Sequence, residues 1–353
     1  MLIPKFFRIS YAYFLKPILF LFNPEIVHDY FIHIGELLEN QDWLVGSMFR
    51  YSNSSLHRRV LGVDFTNPIG LAAGFDYDGH LARVMKSVGF GFNTIGTVTA
   101  LPYEGNPKPR LARLPKSNSL LVNKGFKSQG ANKVKSRLDK KKLSSHTVGI
   151  SVGSSNVPKI NTISKAISDY LITFKLFMDR YYVKYFELNI SCPNVCLQGA
   201  FTSVNNFTKL CQAIKKLNLT QPVFIKMPNE ISFTESDHLV QIALNYGMRG
   251  FIFSNLVKNR SNPSFNKTEI ARMSSFAGNF SGKPAFENSN KLISHTRKKF
   301  GKAIAIIGCG GIFTANDVNL QLQAGADLVQ LITGMIFEGP QLIGEINHKL
   351  AEI

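Results

Sequence analysis

Eight short apolar runs, regularly spaced from residue 68 onward, constrain this chain more than any other feature. They are PIGLAAG (68–74), FNTIGTV (92–98), TVGISVG (147–153), KYFELNI (184–190), PVFIKM (222–227), RGFIFS (249–254), AIAIIG (303–308) and DLVQLI (327–332). A polar or glycine-rich turn follows each run, and then a helical pattern. Near-continuous apolar strands that alternate with helices need cover on both faces, which a parallel sheet provides. Eight regular units within residues 67–353 favour closure into a (β/α)8 TIM barrel, an α/β fold, over a doubly wound open sheet. No G-x-G-x-x-G opens a helix after the first run, which argues against a dinucleotide-binding Rossmann site.

Composition removes other classes. With 44% hydrophobic and 18% charged residues, the chain is not a disordered polyelectrolyte. The 4 cysteines, Cys192, Cys196, Cys211 and Cys309, are too few for a disulfide framework and fit a reducing compartment. The 8 histidines show no metal-like spacing with cysteines or acids, so no metal is expected. Net charge is +18, which suits an anionic partner without choosing one. The stretch 106–142 alone holds twelve Lys or Arg against one acid, Asp139. Its 133–142 part reads as a solvated helix face, and attraction of a polyanion is the sharper alternative.

The amino-terminal region is of another kind. Residues 6–22 are aromatic-rich but interrupted by Arg8, Lys16 and Pro17, so they do not make the roughly 20-residue apolar helix that spans a bilayer. No small-residue cleavage site follows, as a signal peptide would require. From Pro24, apolar residues at Ile26, Val27, Tyr30, Phe31, Ile34 and Leu37 repeat with helical spacing. Two short amphipathic helices with a basic, aromatic face are suited to lying in a membrane interface; packing on the protein's own core is the blander alternative. The expected organisation is a helical segment over 1–45, a linker over 46–66 and a barrel over 67–353.

Polar residues cluster at the carboxyl ends of the runs, where barrels build their sites: Asp76 and Tyr77, Thr97, Ser151, Asn189 with Cys192 and Asn194, Lys226, Asn255 and Thr333. Glycine-rich turns after the seventh and eighth runs, IIGCGGI (306–312) and LITG (331–334), can present backbone N–H groups to a phosphate. NISCPN (189–194) sets two amides and a thiol around a proline-fixed turn. A thiol on that face can act as base or nucleophile, whereas Cys196, Cys211 and Cys309 read as small buried hydrophobes. Lys226, inside an otherwise apolar strand, needs an anionic partner such as a reduced flavin or a carboxylate.

NPIGLAAGFD (67–76), GFGFNTIGTVT (89–99), GNPKPRLARL (105–114), NISCPN (189–194), IIGCGGI (306–312) and IFEGP (336–340) together resemble dihydroorotate dehydrogenases over nearly the whole chain. NPEIVH (23–28) in the leader resembles the membrane-associated, quinone-using class. The resemblance implies an FMN-bearing barrel that oxidises dihydroorotate to orotate in pyrimidine synthesis and passes electrons to a quinone, bound peripherally at the cytoplasmic face of the membrane, with no nucleic-acid partner. Carried over, Ala72, Ala73, Gly74, Phe75, Asp76, Thr97, Ser151, Asn189, Lys226, Ser254, Gly282, Gly311, Ile332 and Thr333 would line FMN. Asn123, Lys124, Gly125, Phe126, Asn189, Asn194 and Asn255 would face the substrate. Cys192 takes the catalytic-base position, and His28 and Arg113 match quinone-pocket residues.

The chain departs from that pattern at several points. Cys192 stands where the quinone class usually has serine, Tyr77 replaces a lysine, and Ser151 replaces an asparagine. SNLV (254–257) replaces TNTT, and Ile332 replaces a tyrosine. The loop VNKGFKSQG (122–130) is one residue short, and Lys124 or Lys127 is the candidate replacement for the missing charge. Three alternatives follow: a soluble dihydroorotate dehydrogenase using fumarate or NAD, a tRNA dihydrouridine synthase-like flavoenzyme, and a non-catalytic FMN-binding protein. Acceptor preference, RNA retention and flavin reducibility separate them.

Overall fold

A computed structural model describes residues 7–190, 197 and 199–352 of the chain. All eight apolar runs are strands, and they close. The barrel is formed by β3 (Ile69–Leu71), β4 (Phe92–Val98), β7 (Val148–Val152), β8 (Val183–Asn189), β9 (Val223–Lys226), β10 (Gly250–Phe253), β12 (Ala305–Cys309) and β13 (Leu328–Leu331). Every neighbouring pair is parallel, and β13 returns to β3 through Val329↔Ile69. Helices between the strands cover the outside, so each strand is buried on both faces, as its unbroken apolar run required.

The stretch expected as a linker is structured. Strands β1 (Arg58–Val60) and β2 (Val63–Phe65) form an antiparallel hairpin with Arg58 opposite Phe65. Phe65 is fully buried and plugs the amino-terminal end of the barrel. Its ring centroid lies 5.0 Å from that of Phe92, and Tyr185 stands 6.1 Å from Phe92 and 5.7 Å from Phe224. Above this aromatic floor the interior turns polar. Glu187 Oε1 accepts from Thr94 Oγ1 and Gln330 Nε2, each at 2.6 Å, and Tyr185 Oη lies 2.7 Å from Thr94 Oγ1.

A second, smaller sheet was not foreseen. Strands β5 (Leu111–Leu114), β6 (Ser119–Val122) and β11 (Asn279–Gly282) pair antiparallel in the order β11-β6-β5, over a core of Leu114, Leu121, Val257, Phe265 and Phe280.

The leader folds against the barrel. A π-helical turn (Tyr11–Leu15) runs into α1 (Lys16–Leu21), followed by α2 (Pro24–Leu37) and α3 (Asp42–Phe49). Asn23 caps α2 by accepting from the Glu25 and Ile26 amides, and Pro24 supplies a pre-set first turn. Leu21, Phe14, Tyr13, Ile26 and Trp43 are exposed. No helix among the described residues is long and apolar enough to cross a membrane. The leader docks on the barrel through ion pairs, Glu36 with His80, Glu39 with Lys141, and Asp42 with Arg83 and Ser87, and through apolar packing of Val45, Ile32 and Leu38 on the core around Leu81 and Met85.

That docking accounts for much of the basic stretch. Of its twelve cations, Arg110 and Lys124 hold Glu25, Arg113 holds the Phe22 carbonyl and Lys141 holds Glu39. Lys135 pairs with Asp139, and Arg137 donates to the Asp78 carbonyl. Six of the twelve are thus engaged within the fold.

Candidate active site

One cavity of about 1150 Å³ joins the leader to the carboxyl ends of the barrel strands. At the leader end, its walls include Tyr11, Phe14, Ile18, Phe20, Val27 and His28, with Arg113 of β5 reaching across. The Arg113 guanidinium sits 4.6 Å above the Phe20 ring and donates to the Phe22 carbonyl at 2.7 Å. Tyr11 donates its hydroxyl to the Ile336 carbonyl at 2.6 Å, and burial pushes its pKa up to about 12, so it stays a neutral donor. His28 meets the loop after β3, its Nε2 lying 2.8 Å from the Phe75 carbonyl.

At the barrel end, Ala72, Ala73, Gly74 and Phe75 line the cavity, as do Thr97, Asn189, Lys226, Ser254 and Asn255. Asn189 donates to Thr97 Oγ1 at 3.2 Å, and Asn255 donates to Asn189 Oδ1 at 3.4 Å, so these groups form one polar surface. Lys226 is buried and donates to Cys309 Sγ at 3.7 Å. Burial works against its charge, but the hydrogen bond to the Cys309 sulfur and the Glu187 carboxylate favour it, and its pKa lies above the ordinary lysine value. Burial likewise keeps Cys309 a neutral thiol, and it pushes the Cys211 thiol up to about 12.

The two glycine turns also face the cavity, together with Gly282, Ile332 and Thr333. Gly310 and Gly311 have φ of 114° and 75°, a region that side chains with a Cβ rarely occupy. A Cβ on Gly311 would collide with Phe286, and one on Gly334 with the Ile312 carbonyl. Backbone therefore forms this wall, as close approach of a phosphate requires. With Lys226 as a buried cation flanked by the Asn189 and Asn255 amides of the neighbouring strands, the residues present fit FMN.

Two of the expected flavin residues stand behind the wall. The Asp76 carboxylate is spent on the Gly79, His80 and Leu81 amides at 2.8–2.9 Å, so it shapes the loop after β3. Ser151 is fully buried, with its hydroxyl 3.0 Å from Thr97 Oγ1. Cys192 and Asn194, expected as base and substrate ligand, lie outside the described residues, as does Cys196. Asn123, Lys124, Gly125 and Phe126 all line the cavity, and the Lys124 ammonium lies 5.5 Å above the Tyr77 ring.

Sequence reasoning missed Glu25, which is 8% exposed and lies 2.6 Å from Lys124 Nζ and 3.3 Å from Arg110 Nη1. Its one sequence signal, an acid after Asn-Pro at a helix start, reads equally as a dipole contact. Glu187 was also missed, because it lies within an apolar run, before the strand end where site residues gather.

Residues 55–353 match the family model described as dihydroorotate dehydrogenase. A dihydroorotate dehydrogenase (quinone) of Christiangramia forsetii is 34% identical over 350 residues, covering 97% of this chain and 99% of that relative. One from a Synechococcus strain is 34% identical over 313 residues, covering 87% of this chain and 81% of that relative. Among solved structures, DHODH from Eimeria tenella in complex with ferulenol superposes with a TM-score of 0.80 at 25% identity, covering 94% of this chain and 92% of that one. With the barrel, the glycine-walled cradle and the leader in place, the chain belongs to the dihydroorotate dehydrogenase family, in its quinone-dependent branch.

Proposed function

We propose that the two ends of the cavity divide one reaction, with dihydroorotate oxidised at the barrel end and a quinone reduced at the leader end. As a member of this branch the chain is an FMN oxidoreductase of pyrimidine biosynthesis that converts dihydroorotate to orotate with a quinone as acceptor. One observation supports the division: a single cavity is lined both by His28 and Arg113 and by Asn189, Lys226 and Asn255.

Oxidation removes a proton from C5 and a hydride from C6 of the substrate, leaving a C5=C6 double bond. FMN, when bound, supplies the hydride acceptor and the route to the quinone. The chain's own residues supply geometry and charge. Asn123, Asn189, Asn194 and Asn255 hold the ring by amide hydrogen bonds, and Lys124 meets the substrate carboxylate. Cys192 takes the C5 proton. Lys226 places a fixed positive charge at the flavin-facing wall, where it favours the reduced state.

The exposed apolar side chains of the leader support peripheral docking at a membrane surface, which opens the Tyr11–Arg113 end to a lipid-soluble acceptor. The deciding experiment is anaerobic mixing of the FMN-loaded protein with dihydroorotate while flavin absorbance is followed. Bleaching, then rapid recolouring by a quinone and slow recolouring by fumarate or NAD, is the expected course. Flavin that stays oxidised would sink the assignment.

A further inference from the structure

The leader reaches the substrate end of the cavity as well as the quinone end. Lys124 is 4% exposed, and among the described residues the acceptor for its ammonium is Glu25 of α2, at 2.6 Å. The same carboxylate oxygen takes Arg110 Nη1 at 3.3 Å. These two cations flank Asn123: Lys124 is its chain neighbour, and the Arg110 carbonyl accepts the Asn123 amide at 2.7 Å. Arg110 Nε also donates to the carbonyl of Asn106, and the Asn106 side chain donates to Asn123 Oδ1 at 2.8 Å. One acid from the leader therefore grips both sides of the segment that carries Asn123 into the cavity.

We infer that Glu25 is a positioning residue of the dihydroorotate site, aiming Lys124 and Asn123 at the substrate and keeping the Lys124 ammonium available to its carboxylate. This rests on the reading above that the Asn123–Phe126 loop faces dihydroorotate. The physical reason is that a buried ammonium without a counter-charge is driven toward its neutral form and released from a fixed rotamer. Burial already draws the Lys124 pKa down, and Glu25 opposes that fall. The charged groups facing Lys124 are Glu25 and Asp29 on α2 and Lys127 on its own loop, with the neutral Tyr77 ring beneath it.

The test uses the FMN-loaded full chain and measures orotate binding through its perturbation of the flavin spectrum. Glu25→Gln and Lys124→Met should each weaken orotate roughly tenfold, a usual size for coupling between two sites. The double variant should bind no more weakly than Lys124→Met alone, because both changes remove one arrangement. The KM for dihydroorotate should rise with them while the KM for quinone stays put. Orotate affinity of Glu25→Gln should fall away at a lower pH than that of the wild type, as an unpaired Lys124 loses its proton sooner. Glu25→Asp, which keeps the charge on a shorter arm, should recover part of the affinity. Wild-type orotate binding by Glu25→Gln, or losses that multiply in the double variant, would overturn the inference. Wild-type binding by Lys124→Met would overturn it together with the reading of the loop. Neither result would touch the enzyme assignment, which stands or falls on wild-type flavin bleaching.

Discussion

His28 Nε2 lies 2.8 Å from the carbonyl oxygen of Phe75, joining the leader helix α2 to the loop that follows the first barrel strand. A carbonyl only accepts, so Nε2 carries the proton and the ring orientation is fixed. The imidazole also packs edgewise on Phe75, at 5.2 Å between centroids, and tilts against Tyr77 at 5.3 Å. His28→Ala should raise the KM for quinone roughly tenfold, about the worth of one lost hydrogen bond, while anaerobic bleaching by dihydroorotate keeps its rate. Steady-state assays with varied quinone, beside stopped-flow reduction, check both halves; slowed bleaching with an unchanged quinone KM would contradict the placement.

Cys192→Ala should retain FMN, since the glycine wall after β12 and β13 is remote in sequence from it. Flavin reduction should fall by roughly 10²–10⁴-fold, the usual contribution of a positioned base. Reduction at the wild-type rate would require another proton acceptor.

Gly311→Ala should impair FMN retention. Its φ of 75° disfavours any Cβ, and the added methyl would also meet Phe286. The combined strain is about 1–3 kcal/mol or more. Gly62→Ala is the control: its φ is 81°, but nothing lies within 4 Å of the new Cβ. Flavin-to-protein ratios after gel filtration should drop for the first variant only. Equal ratios would mean that the turn does not hold the phosphate.

Glu187→Gln should destabilise the barrel by about 1–3 kcal/mol, because Thr94 and Gln330 lose a charged acceptor in a fully buried place. Removing a negative charge beside Lys226 should also make the bound flavin easier to reduce. Urea unfolding and a spectroelectrochemical titration report the two effects. An unchanged midpoint potential would show that Glu187 acts on stability alone.

Glu25 sets a pH window for leader docking. Burial pushes its pKa up, but the hydrogen bond and charge of Lys124 pull harder, leaving it below the usual 4.5. A carboxyl depressed on folding contributes stability above the unfolded pKa and loses it as pH falls through the folded one. The stability difference between wild type and Glu25→Gln should thus be steady near neutrality and shrink below about pH 4.5. A difference still intact at about pH 3 would count against the ion pair as its source.

The barrel was legible because its signal is local. A strand such as FNTIGTV, apolar on both faces, can be satisfied only in a doubly covered parallel sheet, and the expected run coincides with β4, Phe92–Val98. The small sheet was not legible. NFSG is only four residues long with a single large apolar side chain, and β11 finds its partner only where Asn279 meets Val122, far earlier in the chain. Asp76 shows the same division within the site: the LAAGFD run marks the loop, yet its carboxylate turns to the Gly79, His80 and Leu81 amides and away from the cavity.

The amino-acid sequence by itself determined the closed barrel, the glycine wall and the amphipathic leader, because each follows from burial patterns and backbone freedom within a few consecutive residues. Tertiary structure alone decided that Glu25 would meet Lys124 across 99 residues of chain and that Glu187 would sit beneath Lys226. Pairings of that kind depend on which helix packs over which loop. Charge is conserved in a sequence count, but its partner is chosen by distance in space.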